Sequence, residues 1–251
     1  MKNENVHPDI LKDDQFETVR SLIGKIAHDF NNLLTPLVAY PQLIKTDLPE
    51  GSEGQELLDV MESTCRDMEH ITRQLLLLSM INKDEHQLLN VNTLIKDIVT
   101  WLKEKQLVEN ITIECDLADD VLNINGSDEA VMTVLHNMYV NSAEAMADGG
   151  QLLIKTENEY KENKPHESGI SVTPGMYVKV SMHDNGSGIN DEIKDNVFLP
   201  FVTTKKGQSR RGAGLGLSIV YRTMMDHNGF IDFESSPGKG TTFNLYFPAV
   251  G

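Results

Sequence analysis

The stretch DQFETVRSLIGKIAHDFNNLLTPLVAYPQLIKT, residues 14–46, decides how the first third of the chain folds. Its apolar positions run Phe16, Val19, Ile23, Ile26, Phe30, Leu33, Leu37, Tyr40 and Ile44. The steps alternate three and four without a break, a heptad stripe that predicts one helix. At 1.5 Å per residue that helix is roughly 50 Å long. Pro36 and Pro41 stand inside it, so a kink or local unwinding is expected there. Residues 48–54, with Pro49, Gly51 and Gly54, read as a turn. A second helix follows, with Leu58, Met61, Cys65, Met68, Ile71, Leu75 and Leu78 on one side. An antiparallel hairpin of this kind leaves much of both apolar stripes wet. Pairing with a second copy into a four-helix bundle covers them; packing against the rest of the same chain is the alternative.

Around this hairpin the composition sets bounds. The chain has 251 residues, 39% hydrophobic and 24% charged, enough apolar content for a core. Lys and Arg number 22 against 38 Asp and Glu, a formal net charge of −16. Division after residue 88 leaves −8 on each part. Binding nucleic acid through phosphate neutralisation is not expected from that balance. The densest apolar run, 75–81, is far short of the roughly 20 residues a membrane helix needs, and no membrane contact is expected. Residues 1–10 are polar and carry no signal-peptide core. Cys65 and Cys115 are too few for a disulfide framework or a cysteine metal cluster, and read as apolar filler in a reducing compartment. The expected location is cytoplasmic.

Past residue 86 the period changes. Asn92 is positioned to cap a helix to about residue 106, and Ser127 one to about residue 147, closed by Gly149 and Gly150. Strands are expected over 111–116, 121–124, 151–160, 176–183, 230–235 and 241–247, with a further helix over 215–227. The polar stretch between the strands at 151–160 and 176–183 reads as a long hairpin loop. Clustered strands with helices to cover one face predict a two-layer α/β sandwich. The division is therefore 1–88, a helical hairpin, and 89–251, an α/β domain.

Four places carry chemistry. His28 lies midway between stripe positions Ile26 and Phe30, hence at the outermost point of the helix; Asn32 follows at i+4 on the same face. By itself His28 would be an ordinary surface histidine. Its neighbours change that reading. An exposed imidazole, with its ordinary pKa of about 6.5, is mostly neutral at cytoplasmic pH and is a usable nucleophile. The adjacent Asp29 can hold its tautomer and take the released proton. In 176–189, MYVKVSMHDNGSGI, an alternating strand runs into a glycine turn. Asp184 continues the parity of Val178, Val180 and Met182. A carboxylate ending an apolar face can accept a hydrogen bond from an adenine amino group, although Asp-Asn-Gly also marks plain turns. Gly212, Gly214, Leu215 and Gly216 open a helix whose free amides suit phosphate. Lys205, Lys206, Arg210 and Arg211 stand just before it, either as a solvated loop or as phosphate contacts. Finally, Asn137 and Asn141 stack at i, i+4 on a half-buried helix, and an Asn141 carbonyl oxygen suits Mg²⁺ shared with ATP phosphates.

Taken together, these segments resemble the catalytic core of a sensor histidine kinase over nearly the whole chain. HDFNN at 28–32 resembles the phosphoacceptor box, and 137–145 the N box. Residues 184–188, 212–216 and 238–243 resemble the three glycine boxes, and 197–205, VFLPFVTTK, the F box. The resemblance implies a dimerisation and histidine-phosphotransfer bundle followed by an ATP-binding domain of the gyrase, MutL and histidine-kinase type. It implies that Asp184 reads adenine and that Asn141 holds Mg²⁺. Asn137, Gly186, Gly188, Gly212, Gly214, Leu215 and Gly216 line the ATP site by the same resemblance. Thr204 and Lys205 fall in a lid over the triphosphate, and Thr242 supports the adenine pocket. The implied reaction moves the γ-phosphoryl of ATP to His28, with Asp29 as base, then to an aspartate of a response-regulator receiver domain. Asn32 orients a water for the reverse phosphatase step, or merely solvates the helix. The homodimer, ATP and Mg²⁺ belong to the same expectation.

Three departures from the family pattern stand out. Leu199 replaces a usual Glu before Pro-Phe, Glu144 stands where many relatives carry a phosphate-contacting Lys, and Pro41 adds a second break after His28. About fifteen residues precede the first helix, so an excised core, or input from a partner, is expected. A gyrase-type hydrolase would carry a general-base Glu one turn before the Mg²⁺ asparagine; Asn137 stands there, which favours transfer.

Overall fold

Helix α1 (Asp13–Lys45) stays helical through both Pro36 and Pro41, so the local unwinding expected there does not occur. Proline removes one N–H from the helix ladder and orphans the carbonyl four residues earlier. For Pro41 that carbonyl belongs to Leu37, and the Cys65 thiol of α2 (Glu53–Ser79) donates to it at 3.5 Å. Cys65 is thus more than filler. The turn between the helices is held by Gln55, whose Nε2 donates to the carbonyls of Lys45 and Leu48 and whose Oε1 accepts from Gly51 N–H. Lys45 also pairs with Asp59 across the hairpin.

The computed structural model describes residues 13–49, 51–79, 86–104, 110–162, 172–203 and 214–250. The chain divides into two compact units. In the first, Leu34, Pro41, Leu58 and Cys65 are buried between the helices. The heptad stripe is not: Ile26, Phe30, Leu33, Leu37, Tyr40 and Ile44 are exposed, Leu33 by 66%. On α2, Met61 and Met68 are open while Leu58 and Cys65 are covered.

The second unit begins with β1 (Gln87–Leu89), a strand that sequence periodicity did not reveal and that runs across the 88/89 division; it pairs with β3 (Asn123–Gly126). Helix α3 (Val91–Glu104) is capped by Asn90, whose Oδ1 accepts from Asn92 N–H at 3.0 Å. The expected cap, Asn92, is spent elsewhere. Its amide donates to the Ala118 carbonyl and accepts from Thr156 Oγ1, tying α3 to β4 (Gly150–Lys161). Ser127 caps α4 (Asp128–Ala145) as expected, accepting from Ala130 N–H.

The sheet runs β1-β3-β7-β5-β4-β2, with β2 as Ile111–Leu117, β5 as Gly175–Asp184 and β7 as Thr241–Val250. Strand β6 (Phe230–Ser235) shares one edge of β7 with β3. Among the described residues only β2 and β4 pair in parallel; β4 and β5 form the expected antiparallel pair, and 163–171 between them lies outside the described residues. Helices α3, α4 and α5 (Gly216–Asp226) bury one face of the sheet around Val134, Met138, Val180, Met182, Val220 and Leu245. This is the two-layer sandwich. The opposite face carries a smaller cluster of Val172, Tyr177, Phe230 and Tyr246, with the Lys161 ammonium 4.2 Å from the Tyr246 ring centroid.

Candidate functional site

Strand β5 delivers Asp184 to the helix-covered side of the sheet, where it is only 2% exposed. Gly186 N–H (3.0 Å) and Thr241 N–H (3.3 Å) both donate to its Oδ1. The Ser142 hydroxyl of α4 donates to Oδ2 at 3.3 Å. Burial pushes this carboxyl above the usual range, and those three donors pull it back. A buried carboxylate with two donors on one oxygen and one on the other keeps acceptor capacity on Oδ2. It is built to accept one more hydrogen bond.

The loop after Asp184 needs its glycines. A Cβ on Gly186 would lie 2.6 Å from the Ala145 carbonyl oxygen, and one on Gly188 2.2 Å from that of Ser236. Ser187 N–H donates to the Ala145 carbonyl, so α4 and the loop are sewn together. Helix α5 starts at Gly216, where a Cβ would meet the Asn137 amide oxygen at 3.3 Å and the Asn141 amide at 3.6 Å. The two asparagine side chains therefore face the first turn of α5. They differ in state: Asn137 donates to the Thr133 carbonyl at 2.9 Å, whereas Asn141 Nδ2 is buried without a hydrogen-bond partner among the described residues. Gly214, at φ +69°, and the buried Leu215 lead into the helix.

Asn137, Asn141, Asp184, Gly186, Gly188 and Gly216 thus come together within the second unit. Thr204, Lys205 and Gly212, like Lys206, Arg210 and Arg211, lie outside the described residues. Thr242 does not join the group. It pairs with His183 and hydrogen-bonds its ring at 2.8 Å, whereas Thr241 pairs with Asp184. Cross-strand partners share a face, so Thr242 points to the other side of the sheet and Thr241 takes the place expected for it. Ser142 and Thr241 escaped sequence reasoning because only the α4–β5 approach and the β5–β7 register bring them to Asp184.

In the F-box segment, Val197 is buried and Phe198 packs on Tyr221 and Phe233. Phe201 is held at φ +66° with its ring exposed. In the first unit, His28 lies in α1, and the Asp29 and Asn32 side chains are exposed.

Residues 126–251, half of the chain, match the family model of histidine kinase-, DNA gyrase B- and HSP90-like ATPases. The chain belongs to that family. Its second unit is an ATP-binding domain of this type, and residues 18–84 match the His kinase A (phospho-acceptor) domain. Family relatives include sensor kinase CckA of Brucella abortus (strain 2308), 29% identical over 96% of this chain and 25% of that protein. Sporulation kinase A of Bacillus subtilis (strain 168) is 30% identical over 95% of this chain and 36% of that protein. The chain thus spans between a quarter and just over a third of the length of these curated relatives. The fold is similar to that of histidine kinase ThkA in its solved complex with response regulator protein TrrA. The TM-score is 0.61 at 23% identity, over 94% of this chain and 64% of that one. Among the described residues of this family member, no helix is long and apolar enough to cross a membrane.

Proposed function

We propose that this chain is the catalytic core of a cytoplasmic sensor histidine kinase. It autophosphorylates on His28 with ATP and passes the phosphoryl group to an aspartate of a response-regulator receiver domain. The observation that carries this reading is the buried Asp184 carboxylate, pre-set by Gly186, Thr241 and Ser142 to accept an adenine amino group. Adenine donates there and leaves the phosphates to run toward the first turn of α5. Gly214, Leu215 and Gly216 supply the backbone for them; the family resemblance assigns Thr204, Lys205 and Gly212 to the nucleotide as well, Thr204 and Lys205 as part of the lid.

The donor set fits Mg²⁺. Asn141 presents a buried amide beside Gly216 whose nitrogen has no partner among the described residues, and the amide oxygen is the hard ligand this ion takes. When bound, Mg²⁺ neutralises charge on the transferring phosphoryl group. Asn137 cannot serve as the base of a hydrolase, since it is an amide tied to the Thr133 carbonyl. Transfer to a protein nucleophile is therefore favoured over hydrolysis. In that step an imidazole nitrogen of His28 attacks the γ-phosphorus, the bond to the β-phosphate oxygen breaks, and ADP leaves. Asp29 takes the imidazole proton. Asn32, one turn on, orients water toward a receiver phosphoaspartate in the reverse reaction.

The exposed stripe from Ile26 to Ile44 supports a homodimer through the hairpin. Six large apolar side chains open on one helix face are what a four-helix bundle covers.

Incubation with γ-labelled ATP tests the reading. The label should be acid-labile and base-stable, as phosphohistidine is, and His28→Ala should abolish it while nucleotide binding persists. Free phosphate without protein label would make the chain a hydrolase. Normal labelling of the alanine variant would remove His28 from its role.

A further inference from the structure

The turn between β6 and β7 abuts the loop that follows Asp184. A Cβ on Gly240, at φ +88°, would lie 1.9 Å from the Asp184 carbonyl oxygen, and Gly238 N–H donates to the Ser187 carbonyl at 2.7 Å. One side chain joins the two segments. The Ser235 hydroxyl accepts from Ile189 N–H at 2.8 Å. It donates to the Gly240 carbonyl at 3.2 Å and shares a hydrogen bond with the Thr241 hydroxyl at 2.9 Å, in which either oxygen can be the donor. The residue so held, Thr241, is the one whose N–H reaches the carboxylate.

We propose that Ser235 is a positioning residue for adenine recognition: it locks the glycine loop to the start of β7 and so fixes the backbone donors that aim Asp184. This rests on the reading of Asp184 as the adenine acceptor. The hairpin does not need the hydroxyl for closure. Strands β6 and β7 pair from Phe230↔Tyr246 to Ser235↔Thr241, and the turn is closed by Lys239 N–H on the Ser236 carbonyl and Ser236 N–H on that of Gly240. Lys194 Nζ holds the Ser235 carbonyl, leaving the side chain free for its other work. That work lies across the gap, on Ile189. Without the hydroxyl, Ile189 N–H loses its acceptor and Thr241 Oγ1 a partner. Both backbone donors to Asp184 Oδ1 then stand on segments tied only by the Gly238 N–H on the Ser187 carbonyl and by the end of the β5–β7 ladder. The carboxylate can turn, and the free lone pair of Oδ2 no longer meets the amino group.

The test is a ratio. ADP and purine riboside 5′-diphosphate differ only in the 6-amino group, and neither has a γ-phosphoryl group to transfer. Their affinities for the full chain, measured by titration calorimetry with Mg²⁺, give the preference for the amino group. The wild-type chain should prefer ADP, and Ser235→Ala should cut that preference about fivefold or more, the worth of one misaligned hydrogen bond. Ser235→Thr, which keeps the hydroxyl, should restore it. A purely structural role would weaken both ligands alike and leave the ratio unchanged, which would overturn the inference while Asp184 kept its role. Equal affinities in the wild-type chain would overturn the adenine reading itself, and the inference with it. Should the alanine chain fail to fold, Ser235→Cys, close in shape and a poor acceptor, is held to the same ratio.

Discussion

At Asp184 stability and the adenine recognition proposed for it pull in opposite directions. Its carboxyl is raised by burial, so the folded chain binds that proton more readily than the unfolded chain does. Stability from this group is greatest in acid and falls as pH rises from the unfolded to the folded value, so the ionised form is a cost at neutral pH. Asp184→Asn removes the buried charge and keeps an oxygen for Gly186 and Thr241, while Ser142 can turn to accept from the new amide. We expect nucleotide binding to be lost in calorimetry and the Tm to hold or rise; a fall of several degrees would contradict this. His227 runs the other way. It is buried, its Nδ1 bonds the Thr223 carbonyl at 2.8 Å and its Nε2 accepts from Ser127 N–H at 3.2 Å. Burial lowers its pKa, the Thr223 contact opposes that, and the stacked His86 ring adds to it. Below the ordinary value of about 6.5 the unfolded chain takes the proton first. Stability should therefore rise with pH through that window and level off above it. Urea midpoints across the window should show a steeper rise for the wild-type chain than for His227→Gln. Parallel curves would mean the ring is protonated equally in both states.

Among the elements, the hairpin and the sheet solve different problems. Helix α1 carries two prolines because α2 repairs part of the damage, Cys65 reaching the carbonyl that Pro41 leaves bare. The face that α2 covers is the one around Leu34 and Pro41, so the longer apolar stripe is left for something else. We expect a fragment of residues 1–86, ending before β1, to sediment as a dimer at micromolar concentration. A monomer would mean the stripe is covered from within the chain. In the second unit, α4 and β5 meet through small groups: Gly186 against Ala145, and the Ser142 hydroxyl against Asp184. Larger side chains at those points would part the layers and open the carboxylate to water.

At the level of the whole chain, His28 and Asp184, the two residues on which the proposed roles rest, lie on separate units. Lesions should therefore separate by step. The Asn32 side chain stands one turn from His28 on the exposed side of α1. Asn32→Ala should leave phosphorylation of His28 within a few-fold of wild type. Loss of phosphate from the partner receiver, with ADP-loaded kinase and back-transfer counted separately, should slow about 10²-fold, the usual effect of losing one positioned donor. Equal decay with both proteins would leave a kinase without phosphatase activity.

What the sequence determined is what repeats locally. The heptad steps specified the first long helix and a one-sided apolar set the second, and strand parity put Asp184 with Val180 and Met182 on the buried face, because these periods are set by backbone geometry within a few residues. The order of the glycine boxes carried the family. Tertiary structure decided whatever depends on a distant partner. Asn90 rather than Asn92 caps α3 because Asn92 is drawn to Ala118 and Thr156. Thr241 rather than Thr242 meets Asp184 because the β5–β7 register says so, and a one-residue slip turns a side chain to the opposite face. Strand β1 exists only because β3 offers it an edge. Ser142 and Ser235 are unremarkable hydroxyls in the sequence, and only the approach of α4, β6 and β7 to one loop gives them acceptors and donors to hold.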